Sequence, residues 1–366
     1  MQTKAAVLYE YNQPLVVEEV ELDPPKAGEV LIKVGAAGIC RSDLHFMKGH
    51  ARAPLPIVLG HEASGTVKEV GDGVTSVKPG DRVVLSFVSA CGRCDNCTDG
   101  RPNICETRAK FWTSQFDGTS RLHKGGQTIT QFDQMSCFAE YSVVPESACI
   151  PAPDNLPLDI GALIGCCTTT GVGAVLASAK VEPGSTVAVV GCGGVGLNVI
   201  MGATLVNASQ IIAVDINEGK LEFAMKFGAT HSVNPSNQDA VARVKEITGG
   251  KGVDYAFEVF GSGETVEMTY NMAKKGGTAV IVGIAPLGET APIDAVSLVR
   301  DEKTLKGAYY GSVRMRTDMP KIMDMYLSGR LNLDDLITRR YSLDQINEAY
   351  ADLERGDVGR GVITSF

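Results

Sequence analysis

No block of lysine and arginine interrupts this 366-residue chain, whose 43 acidic residues outnumber 34 basic ones for a net charge of -9. That balance repels phosphate backbones and excludes nucleic acid as the expected partner. Long apolar runs are missing too: no stretch approaches the roughly 18 uninterrupted apolar residues that a membrane span requires. Residues 1–10 alternate like a short strand and lack the basic, apolar and small-residue succession of a signal peptide. These absences give the expectation of a cytoplasmic protein with no membrane association. Internal repeats and low-complexity tracts are also lacking. What remains is a globular composition, 44 % hydrophobic and 21 % charged, on a chain long enough for two domains.

The first part carries β signals. Residues 3–9, 29–37, 65–70 and 82–86 are short apolar or alternating runs bounded by Gly and Pro, which suggests an irregular β-rich domain. From about Pro183 the pattern becomes strand, turn, helix, repeated. Strands are expected at 186–190, 210–215, 253–258 and 278–282, with helices at 195–205, 218–227, 239–248 and 264–273. This alternation predicts an α/β domain with a doubly wound parallel sheet. After Tyr310 the repeat stops, leaving helical stretches at 320–328 and 343–355 and a strand near Val362. The polar stretch 113–134 reads as a long surface excursion.

Gly191, Cys192, Gly193, Gly194, Val195 and Gly196 form GxGxxG between an apolar strand and a helical run. In that context Gly191 permits the tight turn, Gly193 lets the backbone approach a pyrophosphate, and Gly196 allows close helix packing. The bland alternative is a glycine-rich turn without a ligand. The next strand ends at Asp215, where an acid accepts hydrogen bonds from the adenosine ribose. A carboxylate there favours NAD over NADP, since Ile216 and Asn217 offer no arginine to a 2′-phosphate; Lys220 can assist at the ribose.

Ten cysteines in a reducing compartment point to metal or catalysis rather than disulfides. Cys91, Cys94, Cys97 and Cys105 crowd one loop, a density that suits a structural zinc; an iron–sulfur cluster and two disulfides are the competing readings. Cys40, His61 and Cys166 are dispersed, and each alone reads as a buried structural residue. Together, two thiolates and an imidazole leave zinc a fourth position for an alcohol oxygen, with Cys167 as a rival of Cys166.

Six motifs occur in one order: Cys40-Arg41-Ser42-Asp43, Gly60-His61-Glu62, the four-cysteine loop, Leu163-Ile164-Gly165-Cys166, Gly191 to Gly196, and Val214-Asp215-Ile216-Asn217. In these the chain resembles the zinc-dependent medium-chain alcohol dehydrogenases over essentially its whole length. The resemblance implies a GroES-like catalytic domain (1–167 and 311–366) and a Rossmann dinucleotide-binding domain (168–310). It implies two zinc ions per subunit and NAD. Cys40, His61 and Cys166 match the catalytic ligands, Glu62 a carboxylate that can approach the metal, and Asp43 the acid that orients the ligand imidazole. Ser42 matches the hydroxyl that touches the substrate oxygen, and His45 the outer histidine of a proton relay. Arg41 and Arg360 resemble arginines that pair with the pyrophosphate, and Thr170 the residue beside the nicotinamide.

The implied activity is interconversion of a primary alcohol, benzylic or allylic, and its aldehyde, in a homodimer. The nearest rival is the glutathione-dependent formaldehyde dehydrogenase branch, which the chain resembles at Asp117-Gly118-Thr119-Ser120-Arg121. It departs from that branch at 49–56, where His50 and Arg52 stand in place of an acidic pair, and Arg108 aligns only loosely with the expected arginine. A noncatalytic protein retaining the fold is the rival from another class.

Overall fold

The structure is a computed structural model describing residues 1–356 and 359–366. It divides into two compact units: Met1–Cys166 with Arg314–Gly329 and Leu333–Phe366, and Cys167–Val313 with Arg330–Asn332. Cys167 and residues 311–313 and 330–332, expected in the first domain, therefore fall in the second unit. Compactness, rather than the end of the strand–helix repeat, sets those limits.

The first unit holds two β assemblies. Strands Gln2–Leu8, Val16–Leu22, Leu122–Lys124, Gln127–Gln131 and Ile57–Val58 close into a barrel. A seven-stranded sheet runs in the order Cys149–Pro151, Arg82–Leu85, Ala63–Val70, Glu29–Gly38, Arg360–Ser365, Ile337–Ser342, with Tyr141–Pro145 also paired to Glu29–Gly38. The C-terminal strand reaches the sheet through Val362 opposite Gly38 and Ile363 opposite Ala37. The last chain segment thus completes the fold begun by the first.

Residues 113–134 are a surface excursion only in part, at 117–119 and 124–128. Leu122–Lys124 pairs with Val16–Leu22, and Gln127–Gln131 pairs with Ile57–Val58, so the segment closes the barrel. Several of its polar residues, Gln115, Ser120, Arg121, Gln131, Asp133 and Gln134, are buried, while residues 117–119 and 124–128 are exposed. The Gln115 amide donates to the carbonyls of Val143 (2.9 Å) and Gln134 (3.1 Å). Arg121, 1 % exposed, donates to both Glu29 oxygens (2.9 and 2.5 Å) and to Asp117 (2.9 Å). At Gln115 and Arg121 polarity marks internal hydrogen bonding, which a hydropathy reading mistakes for exposure.

The second unit carries a six-stranded parallel sheet in the order His231–Val233, Gln210–Val214, Thr186–Val190, Val253–Glu258, Ala273–Ile281, Thr304–Gly307. Numbered along the chain within the unit, this is the doubly wound order 3-2-1-4-5-6. Ala188, Val190, Ile212, Val214, Ala256 and Met272 pack its core. The helices begin at side-chain caps: Asn217 accepts from the Lys220 N–H, and Ser262 with Thr265 forms a capping box. Strand His231–Val233, helix Ala295–Arg300 and strand Thr304–Gly307 escaped the sequence reading, the last because all four of its residues are exposed.

Also unforeseen is a continuous helical stretch, Leu158–Ala179. It is long and apolar enough to cross a membrane by length and composition, yet 89 % of its most apolar window is buried within the protein. The turns Ile164–Thr168 and Ala174–Ala179 are π-helical, and the first contains Cys166 and Cys167. Wide turns of this kind re-aim side chains and recur at functional sites.

Candidate active site and metal centres

Cys40 ends the strand-to-helix connection at the start of helix Arg41–Met47, His61 follows strand Ile57–Val58, and Cys166 sits on the π-helical turn. Gly165 lets that turn reach the sheet: a Cβ there would meet the Leu85 carbonyl at 2.7 Å and the Ala63 carbonyl at 3.3 Å. The result is a buried cluster in which one ligand atom each from Cys40, His61, Glu62 and Cys166 lies within 4.8 Å of the others. Cys167, also buried, is contacted by the Asn198 amide at 3.8 Å and is not among these donors.

Asp43 is fully buried and holds the geometry. One carboxylate oxygen accepts from the Gly60 N–H (2.9 Å) and lies 3.2 Å from His61 Nδ1. A proton on Nδ1 shared with Asp43 leaves Nε2 as the donor atom, as metal-bound imidazoles require. The charges of Asp43 and Cys40 raise the His61 pKa well above its usual value, overcoming burial, which pushes the other way. The Cys40 thiol lies well below its usual range, chiefly because Cys166 hydrogen-bonds to it, with His61 assisting against burial. Burial pushes the Glu62 carboxyl up to about 7 although Arg360 pulls it down. Glu62 Oε2 pairs with Arg360, while its buried Oε1 has no hydrogen-bond partner among the described residues. Two thiols, a fixed imidazole and an unsatisfied carboxylate oxygen fit a divalent cation, and the sulfur–nitrogen set suits zinc.

The four-cysteine loop fits a second ion. The sulfurs of Cys91, Cys94, Cys97 and Cys105 lie within 4.8 Å of one another, and all four thiols are free, so the disulfide reading fails. Cys94 Sγ stands 3.5 Å from Cys97 Sγ and 3.9 Å from Cys105 Sγ. These bracket the edge of about 3.8 Å that four sulfurs make around one ion with metal–sulfur bonds of about 2.3 Å. The space suits one ion and not a multi-iron cluster. Backbone N–H groups of Arg93 and Cys94 point at Cys91 Sγ (3.5 and 3.4 Å), and those of Cys91 and Arg108 at Cys105 Sγ (3.3 and 3.4 Å). Despite burial, the side-chain hydrogen bond of Thr107 and these N–H groups hold Cys91 down to about 6; burial and Cys94 push Cys97 up to about 12. One metal shared by all four would bind them as thiolates.

Around the dispersed cluster, helix Arg41–Met47 buries Asp43, Leu44 and Met47 and leaves Ser42, His45 and Phe46 half-buried on another face. His45 Nδ1 is 3.4 Å from His50 Nδ1; burial, then the charges of His50 and Arg41, lower its pKa. Arg41 is exposed, whereas Arg360 is 6 % exposed and directed at Glu62. Sequence reasoning missed the rings beside His61, those of Phe87 (5.5 Å) and Phe132 (5.8 Å). Nothing in local spacing announces them, because they come from separate segments.

In the second unit, the turn after Thr186–Val190 has Gly191 at φ +98°, and helix Gly194–Leu205 starts from Gly193. A Cβ on Gly196 would collide with the Gly191 carbonyl, whereas one on Gly193 would meet nothing within 4 Å. The open face at Gly193 is room for a ligand to approach the backbone. Asp215 Oδ2 accepts from the Cys192 N–H (2.8 Å) and Oδ1 from the Asn217 N–H (2.9 Å), which binds the acid to the glycine turn. Each oxygen keeps a lone pair for a ribose hydroxyl. Lys220 stands in the first turn of helix Glu218–Lys226, and Thr170, half-buried, in helix Thr169–Gly173.

Known proteins match this architecture. The alcohol dehydrogenase GroES-like domain family matches residues 26–154, and the zinc-binding dehydrogenase family residues 194–328. An NDMA-dependent alcohol dehydrogenase from Amycolatopsis methanolica is 40 % identical over 367 aligned positions, covering 99 % of each chain. The benzyl alcohol dehydrogenase of Acinetobacter calcoaceticus superposes with a TM-score of 0.94 at 34 % identity over 100 % of both chains. An alcohol dehydrogenase zinc-binding domain protein from Burkholderia ambifaria gives 0.96 at 35 % identity, covering 100 % of this chain and 99 % of its own.

Proposed function

Since the chain belongs to the zinc-dependent medium-chain alcohol dehydrogenase family, we propose that it interconverts a primary alcohol, benzylic or allylic, and its aldehyde by hydride transfer with NAD. The observation that carries this reading is the buried donor set of Cys40, His61 and Cys166, with its imidazole fixed by Asp43. When bound, zinc supplies Lewis acidity toward the alcohol oxygen and the nicotinamide supplies the hydride acceptor. The chain's own residues do the rest. Ser42 Oγ takes the hydroxyl proton as it gives up its own, and His45, its cation disfavoured by burial and then by the charges of His50 and Arg41, accepts the relayed proton and releases it to solvent. The turn Gly191 to Gly196 holds the dinucleotide, with Gly194 and Val195 opening its helix, and Arg41 and Thr170 assist; Arg360, expected beside the pyrophosphate, is instead buried against Glu62, which compensates its charge. Asp215 takes the ribose and opposes a 2′-phosphate, and Lys220 assists.

The glutathione-dependent reading is weaker on this geometry. Arg108 is ion-paired with Asp133 and donates to the Phe87 carbonyl (3.3 Å), so its charge is already compensated. Arg121, from the motif shared with that branch, is buried against Glu29 and Asp117. A second reading follows from the name of the Amycolatopsis relative: dependence on NDMA in place of added NAD. We also read the protein as a homodimer. The edge strand Thr304–Gly307 is exposed along its length, and Val296 and Val299 nearby in sequence are 56 % and 75 % exposed, a surface a second copy would cover.

The test is an acceptor and substrate panel on zinc-loaded protein. Benzyl alcohol should reduce NAD, with NADP at least tenfold poorer and S-hydroxymethylglutathione inert. Turnover only with NDMA present would replace NAD by the second reading, and no aldehyde with any acceptor would overturn the function. A light-scattering mass of one chain would remove the dimer.

A further inference from the structure

Two of the chain's five histidines, His45 and His50, lie five residues apart. On an uninterrupted helix that spacing would turn their side chains about 140° away from each other. Helix Arg41–Met47 instead stops between them in a Schellman motif. Gly49, at φ +70°, sends its N–H to the Phe46 carbonyl (3.0 Å), and the His50 N–H returns to the His45 carbonyl (2.9 Å). In that motif the side chains at the positions of His45 and His50 meet, usually in an apolar contact. Here two imidazoles make it, with ring centroids 5.7 Å apart and planes tilted by 48°.

The segment carrying His50 is fixed on its far side as well. The Tyr11 hydroxyl donates to the Ala53 carbonyl (2.6 Å) and accepts from the Ala53 N–H (3.0 Å). The Tyr11 side chain also packs against Gly49, where a Cβ would meet it at 3.4 Å. The intervening Lys48 pairs with Glu354 (2.7 Å), so its charge is compensated. Backbone bonds on one side and Tyr11 on the other hold the two rings together before any ligand arrives.

His45 Nδ1 and His50 Nδ1 stand 3.4 Å apart. Two lone pairs at that distance repel, so either a proton or a metal ion belongs between them. The separation is long for a proton bridge, in which an N–H donor stands about 2.7–3.2 Å from its acceptor. It matches the edge of about 3.3–3.4 Å that two nitrogens make on tetrahedral zinc with bonds of about 2.0–2.1 Å. Burial and the charges of His50 and Arg41 disfavour the His45 cation, which leaves that ring's lone pair available to a metal. His45 is half-buried and His50 exposed, so solvent can fill the remaining positions. Arg41, one turn before His45, opposes a cation, and two nitrogens bind zinc less tightly than the sulfur-rich centres do.

We propose that His45 and His50 form a third, weaker zinc site, a two-imidazole chelate at the end of helix Arg41–Met47, through which excess zinc inhibits alcohol oxidation. The inhibition rests on the proton path proposed above; the site does not. With zinc on Nδ1 and a proton on Nε2, the His45 ring has no lone pair left to accept a relayed proton, and release to solvent stops there. The test is to dialyse protein carrying two zinc ions per chain against rising Zn2+ at neutral pH, count bound metal, and measure alcohol oxidation in the same samples. The unaltered protein should take up a third ion, with a saturable loss of rate of about tenfold or more. His50→Leu, which restores the apolar contact usual in this motif, should keep two ions and its basal rate, and lose less than about twofold at the same zinc. No third ion in the unaltered protein, or the same third ion in His50→Leu, would overturn the site. A third ion that requires His50 but leaves oxidation undiminished would uphold the site and overturn the inhibition, removing His45 from the proton path. The same uptake in a protein that oxidises no alcohol would uphold the site and sink the catalytic reading, and the inhibition with it.

Discussion

In the loop from Cys91 to Cys105 all four metal-binding candidates come from one short segment, whereas Cys40, His61 and Cys166 come from three distant ones. The loop has little core: Cys91, Cys94 and Cys97 are only half-buried, and what holds it is N–H to sulfur bonds around four thiols placed to surround one ion. The dispersed cluster is wholly buried and held by packed elements, with Asp43 bonded to Gly60 and His61 and Gly165 seated on the sheet. On this difference the loop should need its metal in order to be built, and the dispersed cluster should form first and then bind. That difference predicts opposite consequences of removing a ligand.

The largest effect should come from Cys166→Ala. Metal analysis should show one zinc lost, and alcohol oxidation should fall by about 10³-fold or more, the value of several kcal/mol of Lewis-acid assistance, with Tm little changed. A collapse of the fold would show that the dispersed cluster is structural as well. Next comes Cys94→Ser, which should also release one zinc but lower Tm by about 5–10 °C, the response of a domain of this size to a few kcal/mol. Two zinc ions per chain in that variant would erase the contrast. Asp43→Asn should be intermediate, weakening metal affinity or activity by about 10- to 100-fold through the freed imidazole. Titration with a chelator measures it directly.

The smallest effect is a pH dependence. His45 has a pKa below the usual 6.5 because burial and the neighbouring charges of His50 and Arg41 disfavour its cation. Its contribution to stability is therefore complete above about 6.5 and is lost as pH falls toward the depressed folded value. The same sign places the acid limb of the kcat/KM profile for oxidation below 6.5. In His45→Gln that limb should disappear or shift, and an unaltered profile would remove His45 from the proton path.

The parallel-sheet unit was largely legible because its strands and helices carry strong periodicity: the strands expected at 186–190 and 253–258 coincide with Thr186–Val190 and Val253–Glu258. Where periodicity failed, burial was the reason. Leu158–Ala179 is apolar on nearly all sides and shows no helical stripe, while 113–134 buries Gln115 and Arg121 by bonding them to the Val143 carbonyl and to Glu29. The exposed edge strand Thr304–Gly307 had no buried face to betray it.

By itself the sequence determined the chemistry available: a four-thiol loop, a glycine turn followed by Asp215, and a set of donors matching a known family, all encoded in local spacing or shared motifs. Only the tertiary structure decided which cysteine of the pair Cys166 and Cys167 joins the cluster, that Arg360 faces Glu62, and that the rings of Phe87 and Phe132 meet beside His61. The reason is physical. Side-chain direction on a π-helical turn and contacts between distant segments depend on how the elements pack, and short-range pattern carries no record of that packing.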